Sequence, residues 1–198
     1  MEIIRTRKYI KTGIFVTSDK VYKNINNKQY YKENDELFGE DPYSASKSAS
    51  EIIIHSYLKT FNKNFENRSI CTVRAGNVVG GGDYSINRIM PDIISAFINN
   101  DKLIIRSPNS TRPWQYILDC LNGYLKLTQL TLKNPSKYNG SWNFGPNDND
   151  VISVGAVLDY LVKNWFGTAE WVSDGAEQPH EAQLLKLDIS KANADLKW

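Results

Sequence analysis

Gly13-Ile14-Phe15-Val16-Thr17-Ser18-Asp19-Lys20 is an apolar, β-branched run that ends in a hydroxyl, a carboxylate and an amine. A short apolar stretch of this kind reads as a strand of a parallel sheet, buried on both faces. Ligands of open parallel sheets bind beyond the carboxyl ends of the strands, so Ser18, Asp19 and Lys20 stand where chemistry would be done. Asp41-Pro42 then offers an N-cap side chain and a proline at the first helical position. The helix it starts runs to Phe61, with Ala45, Ala49, Ile52, Ile53 and Ser56 as its packing face. Ser69 to Arg74 is a second strand, and strand–helix–strand is the mark of a parallel α/β sheet.

Downstream the pattern predicts a helix over Pro91–Phe97, a strand over Leu103–Arg106 and a helix over Asp119–Leu132. Ser141–Phe144 reads as a short strand stopped by Gly145-Pro146, and Ser153 caps a helix that reaches Trp165. Glu170–Val172 reads as a further strand, and Asp188–Lys191 begins a last helical turn or two. Gly80-Gly81-Gly82 lacks the ending and spacing of a phosphate loop and reads as a backbone turn.

With 198 residues, 41% of them hydrophobic, the chain can bury a core of one or two domains. A net charge of +2 gives no case for nucleic acid. No apolar run approaches the length of a membrane span, and Met1-Glu2-Ile3-Ile4-Arg5 is not a signal peptide. Cys71 and Cys120 sit among apolar neighbours and read as free core thiols. Two histidines, His55 and His180, make a histidine-built metal site improbable, and no metal is expected. Twenty Asn and 17 Lys point to an AT-rich, bacterial coding sequence. Three Asn-x-Ser/Thr triplets, at Asn67, Asn109 and Asn139, are about as many as chance supplies, which leaves a cytoplasmic, unglycosylated chain.

Tyr43 and Lys47 are four apart and share a helix face. An ammonium beside a phenol favours the phenolate, which suits a general base. Spacing alone is weak, because 11 Tyr and 17 Lys yield about one such pair by chance. Ser18-Asp19-Lys20 by itself suits a solvated turn equally well.

Blocks in order along nearly the whole chain separate these readings. They are Val16-Thr17-Ser18-Asp19-Lys20-Val21-Tyr22, Asp41-Pro42-Tyr43-Ser44-Ala45-Ser46-Lys47 and Arg74-Ala75-Gly76-Asn77-Val78-Val79-Gly80-Gly81-Gly82-Asp83. Ile105-Arg106-Ser107-Pro108, Arg112-Pro113-Trp114-Gln115, Trp142-Asn143-Phe144-Gly145-Pro146 and Pro179-His180-Glu181-Ala182 follow. In these the chain resembles the extended short-chain dehydrogenase/reductases, and among them the sugar-nucleotide dehydratases. Most of those carry Asp-Glu where this chain has Asp19-Lys20; the Asp-Lys form resembles the branch that acts on CDP-glucose.

The resemblance implies NAD as cofactor and CDP-glucose as partner, dehydrated to CDP-4-dehydro-6-deoxy-glucose for deoxysugar, lipopolysaccharide or capsule synthesis. It implies catalytic roles for Ser18, Asp19, Lys20, Tyr43 and Lys47, with cofactor contacts from Tyr43, Lys47 and Ala75. Lys20 is the candidate base for the C5 proton and Asp19 the candidate acid for the C6 hydroxyl. Asn77, Arg88, Arg106 and Arg112 are the expected contacts of the diphosphate, which suits planar guanidinium donors. The five tryptophans read as core, and His180 as a hydrogen-bonding residue. Relatives of this kind commonly pair through the Tyr43 helix, so homo-oligomers are implied for full-length members.

The family opens with a glycine-rich turn that seats the NAD pyrophosphate on a helix N-terminus. Here the first glycine is Gly13, and no Gly-x-x-Gly-x-x-Gly occurs. The expected fold is therefore an incomplete Rossmann-type parallel α/β sheet, its first βαβ units missing, with a smaller α+β substrate lobe. Residues 1–76 would be the remainder of the NAD-binding domain. Residues 77–198 would be mostly substrate lobe, with some segments packing back onto the sheet. The expectation is a dehydratase chain that neither binds NAD tightly nor turns over alone. The alternatives are a non-catalytic remnant that binds a sugar nucleotide, and a 4-epimerase, against which Asp19-Lys20 argues.

Overall fold

The computed structural model describes residues 1–25, 30–147, 150–175 and 186–198. Its main sheet is parallel, in the order β1 (Thr12–Val16), β2 (Ser69–Arg74), β7 (Gly140–Asn143). Register runs from Thr12 opposite Ser69 to Val16 opposite Val73, and from Cys71 opposite Gly140 to Arg74 opposite Asn143. Parallel neighbours need crossovers. α2 (Pro42–Thr60) links β1 to β2, and α4 (Ile117–Lys133) with α5 (Pro135–Tyr138) leads into β7.

Strand side chains alternate between faces, and β2 sorts the helices accordingly. Ile70 packs with Ile54 of α2, and Thr72 and Arg74 hydrogen bond Glu51 of α2. Cys71 and Val73, on the other face, share a core with Leu127 of α4, Trp142 and Phe144. So α2 and α4 cover opposite faces. This is the Rossmann-type arrangement expected from the strand–helix–strand order.

Two expectations need correction. All six residues of β2 are buried, whereas β1 has a neighbour on one side among the described residues, and Val16 is 58% exposed. β1 is thus less buried than its apolar run suggests, although both of its faces are packed, Ile14 against the main-sheet core and Phe15 against the core around Ile54. The face of α2 is also misassigned: Ala45, Ala49, Ile52, Ile53 and Ser56 are exposed, while Ser44, Ser48, Glu51 and Ile54 are buried. Polar groups win that face because they are satisfied there. Ser48 Oγ lies 2.9 Å from the Val21 carbonyl and 2.6 Å from that of Phe38.

A second core forms around Ile93 and Phe97 of α3 (Ile89–Asn99), Ile105 of β4 (Leu103–Ile105), and Val154 and Leu158 of α6 (Val154–Asn164). Trp114, Trp165 and Trp171 pack against it, and Trp198 packs with Trp142 on the main-sheet core, in line with the structural reading of the tryptophans. Small strand pairs frame this part. β3 (Val78–Val79) runs parallel to β6 (Gln115–Tyr116) and β4 parallel to β9 (Trp171–Ser173). β5 (Thr111–Pro113) is antiparallel to β8 (Val151–Ser153). α1 (Glu2–Thr6) precedes β1, and the last residues wind a π-helix over Ala192–Leu196.

Candidate functional site

The ladder between β1 and β2 extends past β1: Thr17 N–H donates to the Val73 carbonyl (2.9 Å) and Asp19 N–H to that of Ala75 (3.2 Å). The chain then tightens into one 3₁₀ turn, Asp19–Val21, capped by Ser18, whose Oγ accepts from Lys20 N–H (3.2 Å). Ser18 Oγ also donates to Asp19 Oδ1 at 2.9 Å. Ser18 and Asp19 are buried and Lys20 is exposed. Burial raises the Asp19 carboxyl above the ordinary carboxylate range, against the opposing pull of the Ser18 hydrogen bond and the Lys20 charge. A carboxyl in this state holds its proton to higher pH, as a proton donor must.

Gly76 makes room for that carboxyl. A Cβ there would overlap Oδ2 and Cγ of Asp19 and lie 2.9 Å from Oδ1. Asp19 and Gly76 also line a small cavity with Pro113, Phe144, Gly145, Pro146, Lys186 and Leu187. A larger cavity of about 600 Å³, lined by Gln115, Asp119, Asn193 and others, shares the Gly145–Pro146 wall. None of the five expected catalytic residues lines this larger space.

Asp41 caps α2, accepting from Tyr43 N–H (2.9 Å) and Ser44 N–H (3.1 Å). Its carboxyl is held below the usual range by the Ser44 hydroxyl first, then by backbone N–H groups and the Lys20 charge. Lys20 therefore acts on Asp19 and on the cap of the Tyr43 helix together. Tyr43 is 47% exposed, and Lys47 Nζ lies 5.9 Å from its ring centroid, so the pair shares a helix face.

Ala75 is half-buried against the main core, and Asn77 is exposed in the left-handed region (φ 48°). Asn77 O accepts from Gln115 N–H at 3.2 Å, tying it to β6. Arg88 and Arg106 are exposed, and Arg112 is half-buried on β5 with Nη1 donating to the Thr111 carbonyl (3.1 Å). Arg88 is the N-cap residue of α3, which has no side-chain cap; its first turn holds Pro91, which has no N–H, and Asp92, whose carboxylate opposes an anion there. Asp41 occupies first-turn N–H groups of α2, which therefore does not offer a pyrophosphate seat. Tyr43 and Lys47, a phenol and an ammonium side by side on one helix face, have the donor types that the nicotinamide and ribose end of NAD would take. The Pro179-His180-Glu181-Ala182 block lies outside the described residues.

Sequence reasoning missed Glu51 and overlooked what Arg74 does. Both are buried and ion-paired to each other beneath this end of the sheet. Burial pushes the neighbouring Tyr22 phenol up to about 12 despite the Arg74 charge. The available signal was Ser44, Ser48 and Glu51 at helical spacing, a polar stripe that resembles a solvated face. Cys71 and Cys120 are free and buried, as expected, and burial raises the Cys71 thiol to about 12.

Comparison with known proteins gives a consistent picture. The model of the NAD dependent epimerase/dehydratase family matches residues 1–140. All of the chain aligns at 42% identity with a CDP-glucose 4,6-dehydratase of Salmonella typhimurium, of which it spans 56%. A dTDP-D-glucose 4,6-dehydratase of Mus musculus is 27% identical over 96% of this chain and 51% of that protein. Among solved structures, a UDP-glucuronic acid 4-epimerase from Bacillus cereus, in complex with UDP-glucuronic acid and NAD, superposes with a TM-score of 0.80. It is 22% identical and is covered over 58% of its length by all of this chain. A dTDP-glucose 4,6-dehydratase from Bacillus anthracis in complex with NAD gives 0.75 at 19% identity, with 58% of its length covered by all of this chain. The chain spans about half the length of the curated relatives it matches.

Proposed function

The chain belongs to the NAD dependent epimerase/dehydratase family, and from that premise we propose that it is a CDP-glucose 4,6-dehydratase chain of cytoplasmic deoxysugar synthesis, feeding lipopolysaccharide or capsule. The observation that carries this reading is the Asp19–Lys20 pair, a buried carboxyl held protonated to raised pH next to an exposed amine at a strand end. The 42% identity to a protein of that activity supports the choice of nucleotide.

Ser18 and Tyr43 hold the C4 hydroxyl, and Tyr43 takes its proton. NAD, when bound, would accept hydride from the sugar and return it. Lys20 takes the proton from C5, acidified by the adjacent 4-keto group, and gives a proton back to C5 when hydride returns to C6. Asp19 gives a proton to the C6 hydroxyl, which leaves as water. Lys47 and Ala75 would border the cofactor's ribose and nicotinamide. Asn77, Arg88, Arg106 and Arg112 bind the diphosphate. A 4-epimerase needs the tyrosine and lysine but no group to expel water, so Asp19–Lys20 favours the dehydratase.

Residues 1–76 are assigned to the nucleotide-binding domain and 77–198 mainly to the substrate lobe, β7 packing back onto the main sheet. Pairing through α2 is supported by its uncovered Ala45, Ala49, Ile52 and Ile53. The 198 residues alone bind CDP-glucose but neither hold NAD tightly nor turn over, since they carry no glycine-rich strand–turn–helix. Calorimetric titrations of the purified chain with CDP-glucose, UDP-glucose and NAD separately test this. Heat with CDP-glucose above UDP-glucose, and none with NAD, is expected. No binding of CDP-glucose refutes the substrate, and NAD-dependent 4-keto product refutes the inactivity of the isolated chain.

A further inference from the structure

Glu51 and Arg74 form a buried ion pair, 4% and 2% exposed, between α2 and the last residue of β2. Arg74 Nε donates to Glu51 Oε1 at 2.8 Å, and its Nη2 donates to Oε2. Such a pair adds little net stability over apolar residues of the same volume, because both charges must leave water. Its best-attested use is to specify one arrangement among several.

The partners of this pair say which arrangement. Thr17 Oγ1 donates to Glu51 Oε1 at 2.7 Å, and Thr17 is the residue before Ser18-Asp19. Arg74 Nη1 donates to the Tyr22 hydroxyl at 2.7 Å, two residues past Lys20, and the Tyr22 hydroxyl donates to Asn143 Oδ1 at 2.7 Å. Glu51 itself lies one helical turn beyond Lys47 and two beyond Tyr43. Arg74 leads directly into Ala75-Gly76, which receives the Asp19 N–H and makes space for its carboxyl. Every segment that carries an acid–base group is therefore tied to one buried pair.

We infer that Glu51 and Arg74 are the positioning pair of the acid–base set, clamping Thr17, Tyr22 and α2 so that Ser18, Asp19, Lys20 and Tyr43 keep one mutual geometry. This rests on the dehydratase reading for what the set does, but the clamp itself is measurable without substrate. The reporter is the Asp19 carboxyl, followed by its ¹³C shift against pH. Among the described residues, Ser18, Lys20 and, across the small cavity, Lys186 are the polar and charged groups around it, and none of them is substituted in any variant.

Two variants separate positioning from bulk stability. Thr17→Val removes one hydroxyl and leaves the ion pair intact. Glu51→Met with Arg74→Met removes both charges together, so neither is left buried and unpaired. In both, the Asp19 titration midpoint is expected to fall toward that of an exposed carboxylate as water reaches it. CDP-glucose affinity is expected to weaken at least about tenfold, with cooperative unfolding retained. An unmoved Asp19 midpoint in Thr17→Val overturns the inference, whether or not the double variant folds. If the parent chain binds no CDP-glucose, the dehydratase reading falls while the Asp19 titration still decides the clamp.

Discussion

Replacing Gly76 by alanine would drive a methyl carbon into the Asp19 carboxyl, overlapping Oδ2 and Cγ and closing on Oδ1 to 2.9 Å. Asp19 has little freedom to retreat. It is 6% exposed, its Oδ1 accepts from Ser18, and its N–H is bound to Ala75. Overpacking of a tight interior costs about 1–3 kcal/mol, and breaking the Ser18 hydrogen bond adds a further ~1 kcal/mol. A loss near 3 kcal/mol corresponds to a Tm lower by about 6–12 °C in a chain of this size. Urea unfolding and a thermal melt of Gly76→Ala measure it directly. Gly81→Ala is the control: a Cβ there meets nothing within 4 Å, so stability should stay within about 1 kcal/mol of the parent. Equal melting of Gly76→Ala and the parent would show that the Asp19 carboxyl does not sit against residue 76, and the proposed acid would lose its place.

Asp19→Asn should stabilise the chain at neutral pH. The folded state raises this carboxyl above its unfolded value of about 3.9, so folding favours the protonated form. The parent then loses stability as pH rises from the unfolded value through the folded one, while the amide does not. The Tm gap between variant and parent should widen across that window and become flat above it; a gap that narrows with pH reverses the sign and refutes the burial argument. Phe97→Ala empties the second core and should cost about 3–5 kcal/mol in urea unfolding, whereas Phe166→Ser, at a fully exposed position, should change stability by less than about 0.5 kcal/mol. A loss below about 1 kcal/mol for Phe97→Ala would mean that α3 and α6 do not close on each other.

The main elements were legible because each carries a local signal that packing reinforces. Asp41-Pro42 opens α2 by the cap its side chain makes, Ser69–Arg74 is a strand to the residue, and Ser153 caps α6 with its Oγ accepting from Ala156 N–H. Strands of two or three residues such as β3, β5, β6 and β8 carry no period that could be recognised, and their pairing is decided by partners distant in sequence. The face of α2 failed for a different reason. Hydrophobic periodicity assumes that apolar groups go inward, yet here Ser48 and Glu51 find better partners inside than Ile52 and Ile53 do.

The same physics limits what could be read of the site. Ser18, Asp19, Lys20, Tyr43 and Lys47 could be singled out only by the blocks that recur in order along the chain, since by type and spacing alone a solvated turn and a chance pair fit them as well. The pairing of Glu51 with Arg74 could not, because a buried ion pair is composed of the residue types most common on surfaces. Only the tertiary fold reveals that Thr17, Thr72, Tyr22 and Ser141 supply the hydrogen bonds that make the burial tolerable. An aspartate carboxyl raised above its ordinary range is likewise invisible in a sequence, because burial rather than a neighbouring charge raises it, and the space for it depends on Gly76, more than fifty residues away. The raised carboxyl of Asp19 is thus a property of the interface between β1 and the turn after β2, and substitutions in that interface should move its titration without touching the group that carries the proton.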